Sequence, residues 1–189
     1  MLTIGDKVED FKVTGVYADP LDDGTYFQEI TDKSFPTQWK IYMFYPKDFT
    51  FVCPTEIIEY DKLNTEFLLR NTILMMGSTD NEFCKLAWKE AHPDLGKITS
   101  IMFADTFRGA WDEATDSYTN GLVDTIGVRS KEGVALRATV IVDPTNTIQH
   151  ISVNNLDTGR NPKETLRILD ALQTGELTAC NREIGGETL

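Results

Sequence analysis

Strand-length apolar runs alternate along this chain with stretches of helical period, and that alternation restricts it to folds in which helices cover a sheet. Trp39 to Tyr45 (WKIYMFY) is a near-continuous apolar run closed by Pro46. From Pro54 to about Arg70 the apolar residues Ile57, Tyr60, Leu63 and Phe67 recur at three and four, which predicts one amphipathic helix. Ile73 to Ser78 reads as a buried strand. A helix over 81–91 is predicted to carry Phe83, Leu86 and Ala87 on one face, and Ser100 to Ala104 is the next strand. Asp105 to Thr125 is acidic and weakly patterned, partly helical at best. Arg137–Val142 and Thr147–Val153 are two strands separated by Asp143-Pro144-Thr145-Asn146, a turn sequence, so a hairpin is expected. Asn161-Pro162 starts a helix bearing Leu166, Leu169 and Leu172, and Gly175 ends it. No internal repeat or linker divides the chain. The expected organisation is one α/β domain over 1–175 and a C-terminal arm over 176–189.

Charge and cysteine content narrow the chemistry. The formal net charge is −12 and the sequence pI is near 4.5, so nucleic acid and anionic membrane surfaces are not expected partners. No apolar run approaches the roughly 20 residues of a membrane helix. The start, Met1-Leu2-Thr3-Ile4-Gly5-Asp6, lacks the basic and apolar regions of a signal peptide, so a cytoplasmic location is expected. Cys53, Cys84 and Cys180 are too few and too scattered for a secreted disulfide framework. Neither His92 nor His150 stands at a ligand spacing from another candidate, so no metal site is expected.

The informative segment is Phe44-Tyr45-Pro46-Lys47-Asp48-Phe49-Thr50-Phe51-Val52-Cys53-Pro54-Thr55-Glu56. A buried strand runs into a loop that delivers Cys53 to a helix start, with Pro54 just inside, where its missing N–H is not needed. Helix N-termini present unpaired N–H groups and the positive end of the macrodipole, which favours a thiolate there. Thr50 can offer a hydroxyl to a substrate oxygen beside the sulfur. A free cysteine is often just a small buried hydrophobe. Here the proline, threonine and helix-start context is what an activated thiol needs.

The segment resembles the signature of the typical two-cysteine peroxiredoxins, nearest to the bacterial alkyl hydroperoxide reductase C group: Pro46, Thr50 and Cys53 at the family's spacing within FYPKDFTFVCPTE. The resemblance continues through LTIGD at the start, Ser78-Thr79-Asp80, KLAW at 85–88, RATVIVDP at 137–144 and GRNPKETLRILDALQ at 159–173. It implies a thioredoxin-like fold, a central mixed β-sheet flanked by helices. It implies that Cys53 attacks a peroxide O–O bond to give a sulfenic acid, with Pro46 shaping the pocket and Arg137 completing the site. Glu56 and Arg160 match a supporting hydrogen-bond network. No metal, haem or flavin is required. The implied partners are hydrogen peroxide or an organic hydroperoxide, a second copy in a homodimer that in the family can close into a ring of five dimers, and a dithiol reductant, either thioredoxin or a flavoprotein disulfide reductase system.

The sequence also departs from that pattern. The family's resolving cysteine follows a Glu-Leu or Glu-Val pair, but Glu176-Leu177 is followed here by Thr178, and Cys180 lies two residues further on. Cys180 of the partner subunit is the favoured resolving thiol; resolution by Cys84 within one subunit is the alternative, beside a one-cysteine cycle in which an external thiol resolves Cys53. The segment from 105 to 127 is longer than in close relatives. The chain stops at Leu189 without the Tyr-Phe tail of peroxide-sensitive relatives, so resistance of Cys53 to overoxidation is expected.

Overall fold

A computed structural model describes residues 1–107, 110–112 and 117–189 of the chain. Its strands are β1 (Lys12–Val16), β2 (Phe27–Thr31), β3 (Trp39–Phe44), β4 (Thr72–Ser78), β5 (Ile101–Ala104), β6 (Ala110–Asp112), β7 (Ser117–Thr119), β8 (Arg137–Val142) and β9 (Ile148–Asn154). The helices are α1 (Cys53–Asp61), α2 (Asn64–Leu69), α3 (Glu82–Ala91), α4 (Leu122–Ile126) and α5 (Pro162–Thr174). Seven strands form one mixed sheet in the order β2-β1-β5-β4-β3-β8-β9, and β6 and β7 form a separate hairpin. β3, β4 and β5 are parallel neighbours, whereas β8 runs antiparallel to β3 and β9 antiparallel to β8.

The apolar run at 39–45 is continuous because β3 is covered on both sides. Ile41, Met43 and Tyr45 pack with Cys53, Ile57, Tyr60, Trp88 and Leu169 on one face of the sheet. Tyr42 and Phe44 enter the other cluster with Phe11, Phe103, Leu122 and Val140. The predicted hairpin is present, as β8 and β9, with a register shift at Ile141/Val142. In α5 the N-cap Asn161 accepts a hydrogen bond from the Lys163 N–H, and Gly175 takes the left-handed C-cap conformation at φ +67°. No helix among the described residues is long and apolar enough to cross a membrane.

Several expectations need correction. The single helix over 54–70 is two, because the chain turns at Lys62 and Leu63 between α1 and α2. The inner face of α3 is not Phe83, Leu86 and Ala87. Phe83 and Ala87 are exposed, and Lys85, Trp88 and Lys89 are buried instead. The weakly patterned 105–125 segment contains β6, β7 and the short α4, while 108–109 and 113–116 lie outside the described residues. The tail after Gly175 folds back on α5. Arg182 donates to Asp170 Oδ2 at 2.8 Å, the Gly185 N–H donates to the same oxygen at 3.0 Å, and the Leu189 N–H reaches the Leu177 carbonyl at 2.9 Å.

Candidate active site

The sheet order explains how residues far apart in sequence meet. Chain leaving the carboxyl end of β3 turns through residues 45–52 and enters α1 at Cys53. The antiparallel register, with Met43 opposite Thr139, brings the start of β8, and therefore Arg137, to that same end of β3. Pro46, Thr50, Cys53 and Arg137 all line one cavity of about 260 Å³, which Lys47, Phe51, Val52, Glu132, Val134 and Leu156 complete.

Cys53 is the first residue of α1 and only 1% exposed. Pro54 occupies the first turn, and the N-cap Val52 supplies no side-chain acceptor to the helix N–H groups. Arg137 Nη1 lies 3.5 Å from Cys53 Sγ and donates to Glu56 Oε2 at 2.7 Å. Its Nε donates to the Leu156 carbonyl at 2.5 Å. The guanidinium is therefore held by fixed acceptors on α1 and on the loop after β9, and Nη1, which Glu56 holds, is also the nitrogen against the sulfur. The Thr50 hydroxyl lines the cavity but donates to the Lys47 carbonyl at 3.0 Å. Its oxygen lone pairs remain available, and donation to a substrate requires that bond to be exchanged.

Glu56 and Arg160 lie together beside Arg137. Arg160 approaches the Glu56 carboxylate three times: from its backbone N–H at 2.9 Å, from Nε at 2.9 Å, and from Nη2 to the second oxygen at 3.0 Å. Arg160 Nη1 also donates to the Ala138 carbonyl at 2.7 Å, tying the network to β8. Burial pushes the Glu56 carboxyl up, but the Arg160 hydrogen bonds and the charges of Arg160 and Arg137 outweigh it and hold the group below its ordinary range. Folding thus gains from the ionised form. That contribution is present above the ordinary carboxylate pKa and is lost as pH falls through the lowered folded-state value. Glu56→Gln leaves two buried guanidinium groups short of a counter-charge and is expected to lower stability by about 3 kcal/mol near pH 7. Urea unfolding of both proteins at pH 7 and pH 3.5 checks this, since the gap should shrink at the lower pH.

The other cysteines do not join this cluster. All three thiols are free; Cys84 is half-buried on α3 and Cys180 is exposed on the tail. Burial, together with the Asp48 and Asp80 carboxylates, pushes the Cys84 thiol up, which suits a packing cysteine more than a nucleophile. Cys180 lies beside a larger cleft of about 970 Å³, lined by the tail, α5 and β9 rather than by the residues around Cys53. His92 caps the end of α3 and His150 is a β9 residue.

Sequence reasoning missed one cluster next to the loop. Lys85 Nζ donates to both carboxylate oxygens of Asp48, at 3.0 and 3.2 Å, and to Ser78 Oγ at 2.7 Å. Lysine reads as a solvent residue on hydropathy, so the available signals were its i, i+3 and i, i+4 spacing with Trp88 and Lys89 and the place of Asp48, Ser78 and Lys85 in the segments that carry the family resemblance.

Comparison with known proteins agrees with the geometry. Residues 4–151 match the AhpC/TSA family. The chain is 40% identical over 195 residues to alkyl hydroperoxide reductase C of Mycolicibacterium smegmatis, covering 100% of this chain and 94% of that protein. The solved structure of Mycobacterium bovis AhpC superposes with a TM-score of 0.79 at 40% identity, covering 96% of this chain and 98% of that one. A reduced 2-Cys peroxiredoxin of Plasmodium vivax gives a TM-score of 0.82 at 32% identity, covering 100% of this chain and 93% of its own. A family match over residues 4–151, together with 40% identity along the whole chain, means that this chain belongs to the AhpC/TSA family.

Proposed function

We propose that the chain is a thiol-dependent peroxidase that reduces hydrogen peroxide and organic hydroperoxides, with Cys53 as the nucleophile. The observation that carries this reading is the meeting of Pro46, Thr50, Cys53 and Arg137 around one small cavity, with Arg137 Nη1 at 3.5 Å from the sulfur. The Cys53 thiolate attacks one oxygen of ROOH in line with the O–O bond. An S–O bond forms, the O–O bond breaks, and the leaving oxygen departs as water or an alcohol after taking up a proton. Charge spreads over both oxygens during transfer, and the Arg137 guanidinium with the α1 N-terminus stabilises it without reorganising, because Glu56 and the Leu156 carbonyl already fix the arginine. Pro46, Val52, Val134 and Leu156 keep water from the sulfur.

The resulting sulfenic acid condenses with a second thiol, releasing water and forming a disulfide. Cys180 of the partner subunit in a homodimer is that thiol in this reading. Its exposure on the tail and the unfavourable surroundings of Cys84 both support it. A dithiol reductant, thioredoxin or a flavoprotein disulfide reductase system, then returns both cysteines to thiols, in keeping with a cytoplasmic location where free thiols persist. One equivalent of hydrogen peroxide added to the reduced protein tests the scheme by non-reducing electrophoresis and peptide mass mapping. A covalent dimer joined through Cys53 and Cys180 is expected, and Cys180→Ser should abolish it while leaving Cys53 oxidised. A monomer carrying sulfenic acid on Cys53 in the unsubstituted protein would assign a one-cysteine cycle. An unmodified Cys53 would overturn the peroxidase reading.

A further inference from the structure

Upstream of Cys53 the loop leaving β3 is held by a buried ion pair that the peroxide chemistry does not use. The Lys85 side chain is 0% exposed and that of Asp48 1%. Besides its bonds to Asp48 and Ser78, Lys85 Nζ donates to the Tyr45 hydroxyl at 3.2 Å. The backbone N–H of Asp48 donates to Asp80 Oδ2 at 2.8 Å, and Ser78 Oγ lies 3.0 Å from Asp48 Oδ1. Backbone and side chain of this one residue are thereby tied to the end of β4, to the turn after it, and to α3.

The next residue, Phe49, has φ +54°, a left-handed conformation that a bulky aromatic adopts only where its surroundings impose it. Its ring rests on Trp88 with centroids 5.7 Å apart. Beyond that point the loop is lightly held. Phe49, Phe51 and Val52 are exposed, and the side-chain ties described there are the bonds from Thr50 to the Lys47 carbonyl and from Thr55, on α1, to the Val52 carbonyl. Pro46 and Thr50, two residues to either side of Asp48, both line the Cys53 cavity. A buried ion pair adds little net stability over an apolar pair of similar volume. What Lys85 supplies is direction, since one ammonium satisfies acceptors on β4, on the loop and at the end of β3 together.

We propose that Asp48 and Lys85 are positioning residues for the peroxide step: their ion pair sets where Pro46 and Thr50 stand relative to the Cys53 sulfur. This rests on the peroxidase reading above. Alkylation of Cys53 by iodoacetamide needs only an available thiolate, whereas reaction with hydrogen peroxide also needs the pocket groups aligned. The diagnostic quantity is therefore the ratio of the two second-order rate constants at Cys53, measured on reduced full-length protein with Cys180→Ser as background.

In Asp48→Asn/Lys85→Met, which removes both charges together, the ratio is expected to fall about 30-fold, the scale of a displacement somewhat below 1 Å. Lys40 is a second buried lysine, bonded to Asn146 Oδ1 at 2.7 Å near the opposite end of β3. Lys40→Met should leave the ratio unchanged although it also removes a buried charge. Ser78→Ala, a milder loosening of the same cluster, should lower the ratio about threefold and serves if the double variant does not fold. An unchanged ratio in folded Asp48→Asn/Lys85→Met or in Ser78→Ala, or an equal fall in Lys40→Met, overturns the proposal. A parent protein whose Cys53 reacts with peroxide no faster than a free thiol would instead overturn the peroxidase reading, and this proposal with it.

Discussion

Cys53→Ser is expected to reduce peroxide consumption to the uncatalysed background, a loss on the order of 10⁵-fold or more, the scale seen when a catalytic nucleophile is removed. The reason is chemical before it is structural. A serine oxygen attacking a peroxide would exchange one O–O bond for another, whereas sulfur forms a stronger S–O bond and yields a reducible sulfenic acid. The replacement is nearly isosteric at a position only 1% exposed, so α1 and the Arg137–Glu56 contact should persist. Fold loss therefore does not account for the effect. Single-turnover peroxide consumption by the reduced variant checks it, with Cys84 and Cys180 still present as internal controls. Retention of more than about 1% of the parent rate would mean that another thiol performs the chemistry. Cys180→Ser gives the contrasting pattern: a normal first turnover, then a stall at the sulfenic acid unless an external thiol intervenes.

That contrast reflects which parts of the site local sequence could reveal. Pro46, Thr50 and Cys53 sit within eight residues at a strand-to-helix junction, so their spacing is itself informative. Arg137 and Arg160 reach the site only through the antiparallel register of β8 on β3 and the loop after β9, and composition and periodicity carry no trace of that pairing; they were assigned by family resemblance. The central strands were legible because burial on both faces writes an unbroken apolar run. β1 and β2 were not, because β1 carries Gly15 and β2 has Gln28 and Glu29 exposed, as suits a sheet edge. The break between α1 and α2 has no glycine or proline to mark it. The inner face of α3 was misread for a physical reason: its buried charges are lysines whose ammonium groups find internal acceptors, and their hydrocarbon stems pack as apolar residues do. Buried ion pairs look like solvated surface in any hydropathy pattern, so the cluster around Lys85 becomes visible only in three dimensions.

Asp105 provides the largest expected stability effect and a defined pH dependence. It is fully buried at the end of β5, where its Oδ2 accepts the Val123 N–H of α4 at 2.5 Å. Its Oδ1 has no hydrogen-bond partner among the described residues. Gly121 packs so closely that a Cβ there would stand 1.6 Å from Oδ1, which leaves little room for relief. Burial pushes the carboxyl up to about 7, against the Val123 N–H and the charges of Arg129 and Lys85, with Asp124 adding to the rise. A folded-state pKa above the unfolded one means that the stabilising contribution is complete below the ordinary carboxylate range and is lost as pH rises through about 7. Asp105→Asn keeps an acceptor for Val123 and cannot ionise. It is therefore expected to stabilise the protein at pH 8.5 by up to about 4 kcal/mol, from about 1.4 kcal/mol for each pH step between the two pKa values. The gain should fall steadily between pH 7 and pH 4 and vanish at the acid end. Urea unfolding of both proteins across that range isolates the residue, because every other titrating group is common to the pair. A gain that stays constant with pH would assign it to altered packing beside Gly121, and no gain at pH 8.5 would mean that the Asp105 carboxylate has a counter-charge that stabilises it.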